Sequence, residues 1–155
     1  MNTDQLLRLL HEDAFAGKIV HSFLAKNECW YIYGTLRETG NTAAIIVNTD
    51  PSDMPGQHWV AYYMDGRSSE FFDSYGLSPQ IYNLPKANHH NTAPIQSISS
   101  IHCGVFVTYY LLCRSRNISL SHILSKFYRD PNKLWFNDDL VVNYLNNHDY
   151  CEIKH

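Results

Sequence analysis

The sequence predicts a fold that mixes strands with helices, and three patterns support this. Residues 43–47 form a short apolar run between turn-forming residues, as expected of a strand buried on both faces. Two later apolar runs flank Asp65-Gly66, a dipeptide typical of hairpin turns. Residues 103–113 are apolar nearly all round, which favours a helix in the centre of a domain over the alternative, a strand.

The remaining elements follow from weaker patterns. Residues 3–12 predict a first helix on the outside of the core, with Thr3 as its cap and a stripe of Leu6, Leu7 and Leu10. Residues 29–33 predict another strand. The stretch 76–100 is rich in Pro, Asn and Ser and predicts a long functional loop, with one short element near residues 81–82.

Two amphipathic helices are predicted after the central helix. The first covers 121–129 and is stopped by Asp130-Pro131. The second covers 137–147, where Asn137 serves as the cap and Asp138-Asp139 suit the positive end of the helix.

Composition limits the classes of protein to consider. A chain of 155 residues with 45% hydrophobic content predicts a single domain over residues 1–155. No run approaches the ~20 apolar residues of a membrane helix, and the N-terminus lacks a signal-peptide pattern, so we expect a protein that is not secreted. A net charge of -3 gives no reason to expect nucleic-acid binding. Four cysteines without a C-x-x-C pair predict reduced thiols.

The predicted hairpin brings an imidazole to a carboxylate. With Asp65 and Gly66 as the two central turn residues, His58 lies opposite Asp73 on the same face, with Cβ atoms ~5 Å apart. A carboxylate in that position fixes the tautomer of a histidine base. A longer turn would shift this register. The alternative is a surface histidine and a turn aspartate that align by chance.

Cys103 is the thiol best placed to act as a nucleophile. It follows a polar loop, precedes Gly104 and opens the predicted central helix, whose positive end favours a thiolate beside a charged His58. Gly104 would let a substrate backbone approach closely. The alternative for Cys103 is a packed and inert thiol, and the settings of Cys29, Cys113 and Cys151 predict structural roles.

Gln96 is a candidate oxyanion donor. It lies seven residues before Cys103, in a loop that can fold its amide back toward the thiol. Acyl transfer needs donors aimed at the developing oxyanion, and a side-chain amide with the backbone N–H of the nucleophile supplies two. Without family context, the residues alone favour a solvated loop glutamine.

These residues together resemble a known family. The segments 56–61, 71–76 and 102–106, with Gln96 between the last two, are similar to the adenovirus maturation protease (adenain) family and, more distantly, to the Ulp-type SUMO proteases. The order His, acid, Gln, Cys is the signature of both. The spacing from Gln96 to Cys103 and the residue His102 look like adenain, whereas Asp73 as the acid looks like the Ulp-type enzymes.

The resemblance implies an α+β, papain-like or adenain-like cysteine proteinase fold, with a mixed sheet packed against a central helix that carries the nucleophile. It implies a His58, Asp73, Cys103 triad with Gln96 in the oxyanion hole, and Trp59 roofing the cleft so that Gly is favoured near the scissile bond. Ordinary strand packing is the alternative for Trp59.

The function implied by the resemblance is cleavage of Gly-containing sites in viral capsid or core precursors during particle maturation. Such a protein would work in the virion or in the cytoplasm or nucleus of the host cell. Adenain is helped by a disulfide-linked viral peptide and by DNA, but this chain has no cysteine between Asp73 and Cys103 and is mildly acidic. Neither activator is therefore expected, and no metal is required.

Three alternatives remain open. The same chemistry would serve a deconjugating enzyme that removes ubiquitin or a ubiquitin-like modifier. A zinc-binding module would use His89, His90, His102 and Cys103, although their spacing matches no common zinc motif. A catalytically dead relative retained as a scaffold is the third.

Overall fold

The computed structural model describes residues 3–10, 19–24, 26–49, 58–66 and 68–149. Within them the chain forms helices α1 (Thr3–Leu9), α2 (Lys26–Thr39), α3 (Cys103–Ser115), α4 (Leu120–Ser125) and α5 (Phe136–Asn146). The strands are β1 (Ile19–Leu24), β2 (Ala43–Asn48), β3 (Trp59–Asp65), β4 (Ser68–Phe72) and β5 (His89–His90), and a short 3-10 helix covers Pro79–Tyr82. Among the described residues, no helix is long and apolar enough to cross a membrane.

The strands form one mixed sheet in the order β1-β2-β3-β4-β5. The two outer pairs, β1 with β2 and β4 with β5, are parallel, while the two inner pairs, β2 with β3 and β3 with β4, are antiparallel. The chain passes from β1 to its parallel neighbour β2 through α2, as a parallel connection requires. The predicted α+β class with a mixed sheet is confirmed.

Helices cover both faces of this sheet, so β2 is buried on both sides as predicted. Ala44 and Ile46 of β2 belong to the larger core, which includes most of the apolar side chains of α3 and the buried residues of α1, α4 and α5. The alternate residues Ala43, Ile45 and Val47 face a smaller core that includes side chains of α2. Alternation along one strand therefore divides the interior into two layers.

The predicted strand at 29–33 is wrong, because these residues belong to α2. Cys29, Tyr33 and Leu36 are buried at helical spacing against the sheet, whereas the intervening Trp30 and Tyr31 are 53% and 75% exposed. A short run of apolar and aromatic residues is compatible with the spacing of a strand and with that of a helix. Here the packing of one helical face against the sheet selected the helix.

The hairpin is present, but its predicted register is wrong. Asp65 pairs with Ser68 and Ala61 with Phe72, two residues further along β4 than predicted. Gly66 accommodates the turn with a φ of 63°. Because side chains alternate with a period of two, a shift of two residues leaves every side chain on its predicted face.

The last two helices differ from prediction at their ends. Helix α4 begins at Leu120, with the Ser119 side chain accepting from the backbone of His122, and ends well before Asp130-Pro131. Asn137 does not cap α5, since it lies inside the helix and is fully buried. Its amide donates to the carbonyls of Ile95 and Tyr128 and so ties α5 to two loops. Asp138 and Asp139 occupy the first turn as predicted.

The remaining predicted elements are present within the described residues. Leu6 of α1 and Leu10 just after it are buried in the core, while residues 11–12 and the side chains of Thr3 and Leu7 lie outside the described part of the chain. The stretch 76–100 is mostly loop, with the 3-10 helix at the expected place and the two-residue β5 in addition. The central helix is confirmed as Cys103–Ser115, with ten buried residues.

Candidate active site

His58 is fixed just before β3 by the end of the neighbouring strand. Its carbonyl accepts from both the backbone N–H and the hydroxyl of Thr49, at 2.9 and 3.1 Å. The imidazole is buried, and its Nε2 donates to Asp73 Oδ1 at 2.6 Å. The ring of Tyr75 stacks on it with a centroid separation of 4.3 Å. The orientation of the imidazole is therefore set from three sides.

The Asp73 carboxylate is fully buried at the point where the chain leaves β4. Besides His58, Oδ1 accepts from the backbone N–H of Tyr75 at 3.0 Å. Oδ2 accepts from the Leu77 N–H at 3.2 Å and from the Tyr82 hydroxyl at 2.6 Å. Four donors around one buried carboxyl group suit the ionised form, which only accepts hydrogen bonds.

The corrected register explains how the His58–Asp73 pair forms. Extending the observed ladder places Tyr75, rather than Asp73, opposite His58, and these two rings are indeed the stacked pair. Asp73 is the diagonal neighbour on the same face, within reach of a side chain of this length. The predicted contact therefore exists, although the predicted reason for it was wrong.

Cys103 is the first residue of α3, and its side chain lies close enough to the imidazole of His58 to contribute to the raised pKa of that ring. Nε2 donates to Asp73, so the buried Nδ1 is the ring nitrogen left to face the thiol of Cys103. A thiol is a long and weak hydrogen-bond partner. This thiol–imidazole–carboxylate sequence is the central feature of the site.

These contacts raise the pKa of His58 from 6.5 to about 9. Burial alone would lower it, but hydrogen bonds to Asp73 and Cys103 and the negative charges of both groups outweigh the desolvation. His58 is therefore a stronger base than a free imidazole and can take up the proton of the neighbouring Cys103 thiol to become an imidazolium. Such an imidazolium can hold a thiolate beside it and later give up its proton.

Gln96 is buried, so the alternative of a solvated loop residue is wrong. Its Nε2 donates to the carbonyl and hydroxyl oxygens of Ser100, at 3.3 and 3.1 Å, and its Oε1 accepts from the Ser74 hydroxyl. Ser100 Oγ in turn donates to Asp138 of α5 at 2.9 Å and accepts from the His102 N–H at 3.1 Å. The glutamine is thus tied to the loop that ends at the nucleophile.

Trp59 and Gly104 meet each other directly. A Cβ on Gly104 would lie 2.7 Å from two atoms of the Trp59 ring, so only glycine fits at this position. The indole thus covers the first turn of α3, one residue from the thiol. On the side where a Cβ would project, Gly104 faces this ring and not an open cleft.

Four groups around the site were not found from the sequence. The Tyr75 ring stacks on His58, and the Tyr82 hydroxyl donates to Asp73. The buried Asn91 side chain accepts from the Asp73 N–H and donates to the Asp73 carbonyl, at 3.1 and 2.6 Å. The fourth, Ser100, bridges Gln96 and α5. Tyrosines, asparagines and serines are common in loops, and no local pattern separates these from the others.

The other candidate residues do not join the site. Burial raises the pKa of the Cys29 thiol to about 12, and Cys113 is buried in the core. Cys151 lies outside the described residues. Within the described ranges, no three side chains of His, Cys, Asp or Glu gather closely enough to hold a metal ion, so the alternative zinc site involving His89 and His90 has no support.

Comparison with known proteins finds similarity to viral proteases. No protein-family model matches the chain. It is 30% identical over 133 residues to a cysteine protease of African swine fever virus from a Malawi tick isolate. It is 29% identical, again over 133 residues, to a SUMO-1 cysteine protease from a Namibian warthog isolate of the same virus. Each match covers 73% of this chain and 49% of the relative.

The chain is therefore a homologue of these viral proteins and spans about half of their length. A crystal structure of the selenomethionine form of an African swine fever virus protease superposes with a TM-score of 0.40 at 26% identity, covering 61% of this chain and 42% of the other. The expected resemblance to viral cysteine proteases is confirmed at this level. The assignment to the adenovirus type remains a prediction.

Proposed function

We propose that this chain is a cysteine endopeptidase in which Cys103 is the nucleophile, His58 the general base and acid, and Asp73 the group that orients the imidazole. The proposal is supported above all by the contacts of His58, whose buried ring interacts with a carboxylate and with the thiol at the start of α3. Homology to viral proteins named as cysteine proteases supports it independently.

The first half of the proposed reaction forms a thioester. The proton of Cys103 passes to His58, and the thiolate attacks the carbonyl carbon of the scissile peptide bond. The resulting oxyanion accepts from the backbone N–H of Cys103 and from the Gln96 amide. The tetrahedral intermediate then collapses as the imidazolium of His58 protonates the departing nitrogen, which leaves as an amine.

The second half regenerates the thiol. His58, now neutral, takes a proton from a water molecule that attacks the thioester carbonyl. The second tetrahedral intermediate releases a carboxylic acid, and the proton returns to Cys103. Throughout, Asp73 stabilises the charged imidazole and holds its ring in one orientation. For Gln96 to serve the oxyanion, one of its two N–H bonds to Ser100 must be exchanged for the substrate.

The substrates in this proposal are Gly-containing sites of viral capsid or core precursors, cleaved during particle maturation in the virion or in the cytoplasm or nucleus of the host cell. Trp59 supports a preference for Gly, because its ring lies on the first turn of α3 and narrows the approach to the thiol. Side chains and one backbone N–H of the chain itself supply every role in this proposal, which therefore includes no metal, no activating peptide and no DNA.

A second candidate function is removal of a ubiquitin-like modifier. It is favoured by one specific observation, since several of the viral relatives carry the name SUMO-1 cysteine protease. Electrophilic probes built on the C-termini of SUMO, ubiquitin and NEDD8 separate the two. Rapid modification of Cys103 by one of these probes, combined with no cleavage of Gly-Gly peptides, would favour deconjugation over maturation.

The decisive test of the chemistry is alkylation by iodoacetamide between pH 5 and pH 9, with each cysteine followed by mass spectrometry. We expect selective modification of Cys103 at neutral pH and a sharp loss of that selectivity in His58→Ala. Cys29 and Cys113 are internal controls, because both belong to the apolar cores and Cys103 does not. Equal labelling of Cys103 in the wild type and in His58→Ala would exclude the proposed role of the imidazole.

A further inference from the structure

A cavity of about 430 Å³ lies beside the candidate active site. This volume falls within the range of about 300–1,000 Å³ that is usual for ligand pockets, so it can receive a large side chain together with part of its backbone. The cavity is formed where the loop after β4, the loop before α3 and the segment before α5 meet. Its lining residues are Tyr75, Leu77, Pro94, Gln96, Ser97, Ile98, Pro131 and Leu134.

Two lining residues belong to the candidate site itself. Tyr75 forms one wall and stacks on the imidazole of His58 with a centroid separation of 4.3 Å. Gln96, the candidate oxyanion donor, forms another. The cavity is therefore continuous with the site on the side shared by the imidazole and the oxyanion donor.

The chemistry determines which part of a substrate lies on that side. The imidazolium gives its proton to the departing nitrogen, so the leaving segment must pass along the imidazole as the bond breaks. A pocket bounded by the ring that stacks on His58 and by Gln96 is within reach of residues that follow the scissile bond.

The lining also selects the type of side chain. Among the described residues that form the cavity, none carries a charge, and Leu77, Ile98 and Leu134 supply aliphatic surface. Leu77 and Ile98 are 42% and 91% exposed, so covering them with an apolar group removes apolar surface from water on both partners. The polar lining side chains of Gln96 and Ser97 already bond to other serines, so a charged or strongly polar group would lose hydration there with little compensation.

We infer that this cavity binds an apolar side chain from the first or second residue after the scissile bond of a polypeptide substrate. The inference rests on the proposed endopeptidase function. It adds a preference for an apolar residue after the scissile bond to the Gly that is expected before it. It gives Leu77 and Ile98 a role in specificity and none in the chemical step.

The test compares peptides that share a Gly-Gly sequence before the cleaved bond and carry Leu or Asn at the first or the second position after it. Leu and Asn have nearly the same shape, so the pair isolates polarity. We expect kcat/KM for Leu to exceed that for Asn about 10-fold or more at one of the two positions, the size usual for apolar pockets. The variants Ile98→Asn and Leu77→Asn should each reduce this ratio several-fold.

Ile101→Asn is the matched control, because Ile101 is 88% exposed in the same loop as Ile98 but does not line the cavity. Its Leu-to-Asn ratio should equal that of the wild type. A ratio near one at both positions, with both peptides cleaved, would overturn the inference and leave the proposed function intact. Equally, an unchanged ratio in both cavity variants would exclude this cavity as the origin of the preference. Failure of the wild type to cleave any of the peptides faster than Cys103→Ala would reject both proposals.

Discussion

Helices α2 and α3 pack on opposite faces of the same sheet, and each places a buried cysteine against it. Cys29 of α2 is enclosed by apolar side chains, and burial raises its pKa to about 12. Cys103 is also buried, but it starts its helix and interacts with a histidine that a carboxylate holds in place. Burial by itself therefore makes a thiol inert, whereas a helix start beside an imidazolium provides the setting of a nucleophile.

The strongest test of this contrast removes each sulfur in turn. Cys103→Ala should abolish peptide cleavage, with a fall in kcat of the order of 10⁶-fold, as for the loss of a protease nucleophile in general. Cys29→Ala should leave kcat/KM within about twofold and change only stability. Cleavage kinetics on a Gly-Gly peptide measure both variants. A fall in kcat of less than about 10³-fold in Cys103→Ala would contradict the assignment of the nucleophile.

The next test removes the charge of Asp73, the carboxylate that holds the histidine beside Cys103. Asp73→Asn keeps the shape of the side chain but not its charge, so the imidazole loses both its orientation and its stabilisation. We expect kcat to fall by about 10²–10⁴-fold, the usual contribution of acid–base assistance. Asp65→Asn, at the exposed turn of the same hairpin, is the control and should retain full activity. Equal kcat values in the two variants would remove Asp73 from the mechanism.

The interaction of His58 with Asp73 and Cys103 should also affect how the free energy of unfolding depends on pH. The folded-state pKa of His58 is raised from 6.5 to about 9, so its contribution is fully present below pH 6.5 and is lost as the pH rises through 9. Urea unfolding at pH 6 and pH 10 should show a loss of free energy of unfolding in the wild type that is smaller in His58→Gln. An equal loss in both proteins would show that other groups cause it.

Substituting one glycine in each helix tests how differently α2 and α3 are packed, without changing either thiol. Gly104→Ala in α3 would place a Cβ 2.7 Å from the Trp59 ring, whereas Gly34 in α2 has nothing within 4 Å of the same position. We expect Gly104→Ala to destabilise by about 1–3 kcal/mol through overpacking. Gly34→Ala should stabilise by about 0.5–1 kcal/mol through helix propensity. Thermal unfolding measures both, and destabilisation by the second variant would contradict the open space beside α2.

The smallest expected effect concerns the loop before α3. Ser100→Ala removes the hydroxyl that joins Gln96, the His102 N–H and Asp138. We expect kcat to fall by less than the roughly 10²–10³-fold that loss of an oxyanion donor itself causes, with KM nearly unchanged. Ser99→Ala, whose hydroxyl bonds within the exposed loop, is the control. A change in KM with constant kcat would indicate that Ser100 contributes to substrate binding and does not position Gln96.

Local patterns in the sequence were sufficient for the elements that carry the candidate site. The apolar run 103–113 predicted the central helix, and the Asp65-Gly66 turn predicted the hairpin. These patterns failed at 29–33, where the aromatic residues are compatible with both a strand and a helix. They also failed at Asn137, a residue type that often caps helices, which here is buried and joins two loops. In both places the outcome depended on a face of the sheet or a loop that lies far away in the chain.

What the sequence by itself determined was the set of chemical groups and their order along the chain, because turn residues, helix starts and alternation act over a few neighbouring positions. The tertiary structure alone decided the hairpin register, the stacking of Tyr75 on His58, the clamp of Asn91 on Asp73 and the packing of Trp59 on Gly104. Each of these contacts joins segments that are distant in sequence, or depends on a register that the turn alone does not fix. They form only when the hairpin, its following loops and α3 come together in the folded chain.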